Sequence, residues 1–324
     1  VALGGGKLAN ARRIVMATPT IGKVVESGGK LVLMSHLGRP EGKGFEAEYS
    51  LKPVAERLSE LLERPVRLGP QDVAGPEAEK AVGDLGDGDV LLLENVRFRA
   101  GETLPDKAKK NPDGKLTDEQ QATHDEFVQQ LAALGDVYVN DAFGTCHRKH
   151  ASMYGAAEAI RAKGGPAVAG FLLEKEIRYL HEAVDSPKTP FVAILGGAKV
   201  SDKIKLISTL LEKVDRILIG GAMAYTLLKA KGTEIGKSRV EEDQVDTMKE
   251  ILSKAGPKIV LPSDHIATDV FESGEPEQVS EADIPKNLMG MDIGPSTVEM
   301  FGKVIGEAGT IVWNGPMGVF EREA

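Results

Sequence analysis

The chain has 324 residues, 41% of them hydrophobic and 27% charged, with a formal net charge of −9 and a single cysteine, Cys146. That length suits two cores at about 150 residues each. No apolar run approaches the roughly 18 residues of a membrane-spanning helix, one cysteine excludes an internal disulfide, and the acidic balance argues against a nucleic-acid partner. The sequence therefore reads as a cytoplasmic protein with small-molecule partners. It opens without methionine and stops at "VFEREA", where a helix would begin, and so reads as a piece of a longer chain.

Short apolar runs alternate with amphipathic stretches along the chain. Strands are expected at 30–34, 89–93, 136–139, 190–195, 215–219, 258–261, 289–293 and 309–313. Helices are expected at 11–26, 51–63, 118–133, 171–184, 202–213, 241–255 and 297–306, where apolar residues recur at spacings of three and four. This alternation is the α/β pattern, with mostly parallel, doubly wound sheets. The turn-rich segment 101–117 is expected as a surface excursion. The preferred boundary is the helix before "DSPKTP". It gives an N-terminal domain at 1–170, an interdomain helix and hinge at 171–189, and a second domain at 190–324, with a cleft between the two domains.

In open parallel sheets, ligands bind beyond the carboxyl ends of strands. Three such ends in the first half read "SHLGRP", "ENVRF" and "NDAFGTCHRKH", and they supply His36, Arg39, Arg97, His147, Arg148 and His150, with Arg13 early in the first helix. An arginine after one strand is ordinarily a solvated loop charge. Repetition at three strand ends changes the balance, because like charges about 4 Å apart repel by about 4 kcal/mol at an effective dielectric near 20. A bound anion compensates, through bidentate contacts to phosphate or carboxylate.

Strand ends in the second half read "GGAK", "GGAM", "PSDH", "DIGPS" and "NGPMG", nearly uncharged apart from Lys199 and Lys203 nearby. Glycine there lets backbone approach a flat ring or a phosphate chain, so these loops are expected to line one nucleotide edge. Lys199 and Lys203, four apart, are expected on one face of the helix that follows. "GTEIGKS" (232–238) ends like a P-loop but lacks the first glycine and the preceding strand. Cys146 with His147 and His150 has no second cluster to complete a zinc site.

Together and in order, "ARRIVMATPTI", "LMSHLGRPEG", "LLENVRF", "NDAFGTCHRKHAS", "AGFLLEKEI", "AILGGAKVSDKI", "LIGGAMAYT", "EIGKSRVEED", "LPSDHIATD", "MDIGPST" and "WNGPMGVFE" resemble the phosphoglycerate kinase family, in its bacterial form, along essentially the whole chain. The resemblance implies two Rossmann-like domains and reversible transfer of the acyl phosphate of 1,3-bisphosphoglycerate to MgADP, giving 3-phosphoglycerate and ATP in glycolysis, by a monomer. On that pattern Arg13, His36, Arg39, Arg97 and Arg148 hold the triose carboxylate and phosphates, and Arg13, Lys199 and Lys203 reach the phosphoryl group that moves. Gly197, Ala198, Gly220, Gly221, Leu261, Asn314 and Pro316 line the nucleotide pocket, and Glu321 takes the ribose hydroxyls. His147 and His150 are implied only as supports of the basic cluster.

The family's first triose-binding strand falls upstream of Val1, and its Gly-Gly-Gly-Asp loop, whose aspartate holds Mg²⁺, falls beyond Ala324, so no metal ligand is expected within this chain and its activity as given is left open. The competing readings are a nicotinamide-dependent dehydrogenase and a non-catalytic sugar-phosphate or nucleotide-binding protein. The first lacks a Gly-x-Gly-x-x-Gly turn with its following acidic residue.

Overall fold

A computed structural model describes every residue except 1–2, 5–6, 9–10, 109–110, 112 and 323–324. The chain divides into two compact units, Val1–Arg178 and Tyr179–Ala324.

In chain order the first unit contains strands β1 (Leu3–Gly4) and β2 (Lys7–Leu8), helix α1 (Arg12–Glu26), β3 (Leu31–Leu33), α2 (Lys52–Leu62), β4 (Val66–Leu68), α3 (Pro76–Gly83), β5 (Val90–Leu92), the short α4 (Leu104–Lys107), α5 (Asp118–Ala132), β6 (Tyr138–Asn140), α6 (Ala156–Ala162) and β7 (Ala167–Ala169). Helix α7 (Phe171–Asp185) follows, and the division between units falls inside it. Strands β3, β5 and β4 form a parallel sheet in that order, and β6 pairs in parallel with β7.

Alternation along β5 explains the layers. Val90 and Leu92 point into a cluster with Ile14, Ile21 and Val25 of α1 and Val54, Ala55 and Leu58 of α2. Leu91 and Leu93 point the other way, onto Ala78 of α3 and Phe127, Val128 and Leu131 of α5. A strand buried on both faces is the doubly wound arrangement.

The second unit contains β8 (Phe191–Leu195), α8 (Ile204–Leu211), β9 (Arg216–Ile219), α9 (Met223–Ala230), α10 (Val245–Ala255), β10 (Ile259–Val260), β11 (His265–Thr268), β12 (Glu277–Val279), β13 (Met289–Ile293), α11 (Pro295–Gly306) and β14 (Thr310–Asn314). Its main sheet is parallel, in the order β10-β9-β8-β14. Phe191, Ala193 and Leu195 pack toward α8, α9 and α10, while Val192 and Ile194 pack toward Phe301 of α11.

The structure changes some expectations. The opening of segment 101–117 is not a surface excursion, since Gly101, Glu102 and Leu104 are buried. A side chain at Gly101 would stand 2.7 Å from Thr123 O and 2.8 Å from Phe127 Cβ, so this turn is pressed onto α5. "DIGPS" does not extend the row of parallel strand ends, because β13 belongs to a separate antiparallel sheet, β12-β11-β13. Lys199 and Lys203 do not share a helix face: α8 starts at Ile204, with Lys203 at its N-cap.

Candidate active site

In the first unit, β3 and β5 run in parallel register, Leu31 opposite Val90 and Leu33 opposite Leu92, so the loops after them leave from one edge. Two buried residues of "ENVRF" tie those loops together. Glu94 accepts from Ser50 Oγ at 2.6 Å and from the Leu51 N–H at 2.9 Å, at the start of α2. Asn95 Nδ2 donates to Leu37 O at 2.7 Å and Tyr49 O at 3.1 Å, and its Oδ1 accepts from the Arg97 N–H at 3.1 Å. Arg97 Nη1 completes the tie by donating to Gly38 O at 2.8 Å. Gly38 is required there: its φ is +61°, and a Cβ would meet the Tyr49 ring at 2.5 Å.

The cations expected from sequence come together as one electrostatic set. Burial first, then the charges of Arg97, His150 and Arg13, push His36 down to about 4, so it is neutral at pH 7. Burial also lowers Arg97, and Arg148 and Arg39 press it the same way while Glu102 and Asp106 oppose. Arg97 Nε is buried with no hydrogen-bond partner among the described residues. Arg13 and Arg39 are exposed, and Arg148 is half-buried.

Histidines 147 and 150 separate sharply. His147 is exposed, whereas His150 is 2% exposed and wedged between two carboxylates. Its Nε2 lies 2.9 Å from Asp106 Oδ2 and its Nδ1 3.6 Å from Glu102 Oε1. Asp106 also pairs with Arg148. Sequence reasoning missed Glu94, Asn95, Glu102 and Asp106. Glu94 and Asn95 sat inside a recognised motif and could have been suspected as buried polar groups, but nothing local marked Glu102 or Asp106.

After β6, Asp141 has a structural task. Its Oδ1 accepts the Leu172 and Leu173 N–H groups at 2.9 and 3.1 Å, and Thr20 Oγ1 accepts the Phe171 N–H at 2.9 Å. Those contacts satisfy the open N–H groups at the start of α7 and fix where it begins.

In the second unit, the turns after β8, β9 and β14 pack backbone against backbone. The Gly197 N–H donates to Pro316 O at 3.0 Å and the Met223 N–H to Gly197 O at 2.9 Å. A Cβ at Gly196 would collide with Pro316 O, and one at Gly220 would stand 2.6 Å from Met317 Sδ. Gly221, at φ +65°, would put a Cβ 2.6 Å from Gly197 N. Gly197 differs, with φ +118° and nothing within 4 Å of its Cβ position. Ala198, Lys199, Asn314, Pro316 and Glu321 are exposed, and Leu261 is half-buried.

Glu241 explains why the helix waits until Ile204. It accepts the Val200 and Ser201 N–H groups at 2.6 and 3.1 Å and Ser201 Oγ at 2.6 Å. Burial pushes the Glu241 carboxyl up, but these bonds outweigh it and hold the carboxyl below its ordinary range. The turn 200–203 is therefore anchored from outside, and Lys203 is part-buried, which lowers its pKa. "PSDH" and "DIGPS" meet by a similar device. Asp264 accepts the Ser296 and Thr297 N–H groups at 2.8 and 2.7 Å, capping α11.

A doubly wound unit ending in clustered arginines, together with one ending in glycine turns and lysines, defines an α/β enzyme of the phosphotransferase class. The phosphoglycerate kinase family model matches residues 1–324. A phosphoglycerate kinase of Lactobacillus acidophilus is 51% identical over 321 residues, which cover 99% of this chain and 77% of that protein. The solved phosphoglycerate kinase of Coxiella burnetii aligns with a TM-score of 0.76 at 38% identity, covering 99% of this chain and 76% of the other. That of Pyrococcus horikoshii aligns with a TM-score of 0.77 at 32% identity, covering 99% and 77%. The chain belongs to the phosphoglycerate kinase family. It is a kinase of glycolysis, and its reaction is the reversible transfer of the acyl phosphate of 1,3-bisphosphoglycerate to ADP, giving 3-phosphoglycerate and ATP.

Proposed function

We propose that Arg13, His36, Arg39, Arg97 and Arg148 bind the triose carboxylate and phosphates, and that Gly197, Ala198, Lys199, Lys203, Gly220, Gly221, Leu261, Asn314, Pro316 and Glu321 bind ADP or ATP. The observation that carries this reading is the electrostatic linkage of the five basic residues, with a buried Arg97 Nε left without a partner among the described residues. A cluster of that kind is stable beside an anion and strained without one. Residues 1–170 then serve the triose and 190–324 the nucleotide, with 171–189 as the hinge.

The chemistry needs few groups. A terminal oxygen of ADP attacks the acyl-phosphate phosphorus, the bond from phosphorus to the carboxyl oxygen breaks, and the leaving group departs as an ionised carboxylate. No proton is transferred, so no general base is needed. Catalysis rests on alignment and on neutralising the phosphoryl oxygens, the roles given to Arg13, Lys199 and Lys203. Part-burial, which lowers the Lys203 pKa, places its ammonium where charge interactions are less screened.

Mg²⁺ is expected with the nucleotide. Among the described residues no group of three or more His, Cys, Asp or Glu side chains is arranged to hold a metal. A nucleotide-bound Mg²⁺ takes much of its shell from phosphate oxygens and water, and no step above is routed through it. No described helix is long and apolar enough to cross a membrane. The reading extends to a cytoplasmic monomer without membrane or nucleic-acid partners.

The test is a crossover in steady-state kinetics on the full gene product. Arg97→Ala is expected to raise KM for 3-phosphoglycerate and leave KM for ATP unchanged, and Lys199→Ala to do the reverse. Equal effects on both substrates would remove the division of labour.

A further inference from the structure

We propose that Asp106 is a positioning residue, which holds Arg148 ready for the triose anion and is itself held by the buried His150, whose other ring nitrogen faces the buried Glu102. The proposal rests on the assignment of Arg148 to the triose site and adds a residue that does not itself touch substrate.

One carboxylate oxygen carries the argument. Asp106 Oδ2 accepts from Arg148 Nη1 and lies 2.9 Å from His150 Nε2. His150 is 2% exposed and its other nitrogen faces Glu102 Oε1 at 3.6 Å. Glu102, also 2% exposed, accepts the Ser152 N–H at 2.9 Å and Ser152 Oγ at 2.6 Å. The His150 carbonyl in turn accepts the Met153 and Tyr154 N–H groups at 3.2 and 2.9 Å. From the other side, Asp106 sits in α4 beside Leu104, which is 7% exposed. His150 and Glu102 are thus set into the core, and the bond from His150 ties the part-exposed Asp106 to them.

The pairing leaves Arg148 able to bind a ligand. Guanidinium has five N–H donors in a fixed fork, and Asp106 engages Nη1 alone, with no other side-chain hydrogen bond of Arg148 among the described residues. An arginine already held in one rotamer loses less conformational freedom when an anion docks. Asp106 also opposes the mutual repulsion of the cations, since with Glu102 it acts on Arg97 against Arg148 and Arg39. Burial raises the Asp106 carboxyl, but the bonds from His150 and Arg148 outweigh it and keep it ionised. A carboxylate that only competed with substrate would need no such anchoring.

The experiment is steady-state kinetics of the full gene product in the direction of 3-phosphoglycerate and ATP, on Asp106→Ala, Asp106→Asn, Arg148→Ala and the Asp106→Ala/Arg148→Ala pair. Asp106→Ala is expected to raise KM for 3-phosphoglycerate about tenfold, a loss of about 1.4 kcal/mol, with kcat and KM for ATP nearly unchanged. Asp106→Asn, which keeps the volume and one acceptor oxygen, should recover most of that affinity. In the double variant the loss should be no greater than in Arg148→Ala alone. An unchanged or lowered KM in Asp106→Ala overturns the proposal, as does a joint fall of kcat, ATP affinity and melting temperature in Asp106→Asn. If Arg148→Ala itself leaves KM for 3-phosphoglycerate unchanged, the assignment of Arg148 fails. If Arg148→Ala raises it and Asp106→Ala does not, only the role of Asp106 fails.

Discussion

The two units hold their strand-end loops in opposite ways. In the first, side chains do it: Glu94 and Asn95 bind neighbouring backbone, and Asp106, bonded to the buried His150, pairs with Arg148. In the second, the turns after β8, β9 and β14 meet through backbone, with Gly197, Pro316 and Met223 bonded main chain to main chain where glycines leave room. The carboxylates of Glu241 and Asp264 hold only the flanking turns. The difference follows from what each edge would bind. A small polyanion is recognised by charged forks held at fixed angles, which need buried partners to hold them. A nucleotide lies flat against main chain, which needs the absence of side chains.

Four measurements would break or sharpen that contrast. The largest effect is expected from Lys203→Ala, which removes the part-buried cation proposed to reach the transferring group. Turnover should fall by at least about 10³-fold, the range of an arginine finger, with ADP affinity little changed by calorimetry. Unaltered turnover would end that role for Lys203.

Next is the pH response of the charged side. His36 is pushed down to about 4 from 6.5, mainly by burial. Between those values the unfolded chain binds a proton that the folded chain does not, so stability rises with pH. About 3 kcal/mol should be lost as pH falls from 6.5 through 4, and His36→Gln should flatten that slope in urea titrations. An NMR titration of His36 with a midpoint near 6.5 would contradict the burial argument.

Arg97→Ala should then weaken 3-phosphoglycerate by about 10- to 100-fold, as expected for hydrogen bonds to a charged group. Rising salt should weaken the triose more than the nucleotide if the clustered arginines of the first edge bind it by charge, as proposed.

The smallest effects separate two adjacent glycines. Gly196→Ala collides with main chain and should cost about 2 kcal/mol or more of stability. Gly197→Ala meets open space at a φ of +118°. It should lower stability less and ADP affinity more, and equal melting shifts would remove the distinction.

Much of the architecture was legible in sequence because period and punctuation encode it. The strand expected at 190–195 is found at Phe191–Leu195, and the helix expected at 118–133 at Asp118–Ala132. Val66–Leu68 and Ala167–Ala169 escaped because "VRL" and the "AVA" between Pro166 and Gly170 lack the continuous bulky apolar run that marked the equally short Leu31–Leu33 and Val90–Leu92. Lys199 and Lys203 were placed on a helix because the pattern could not show Glu241, some forty residues on, capturing the turn before it.

By itself the sequence determined the α/β class, the family, and which strand ends carry charge and which carry glycine, because these depend on local composition and order. Only the tertiary structure decided that burial pushes His36 below its ordinary value, that His150 is buried while His147 is exposed, and that Asp106 pairs with Arg148 and His150. Burial and charge partnership depend on residues distant in the chain, such as Asp106 and Arg148, which are 42 positions apart. No local pattern records such a meeting.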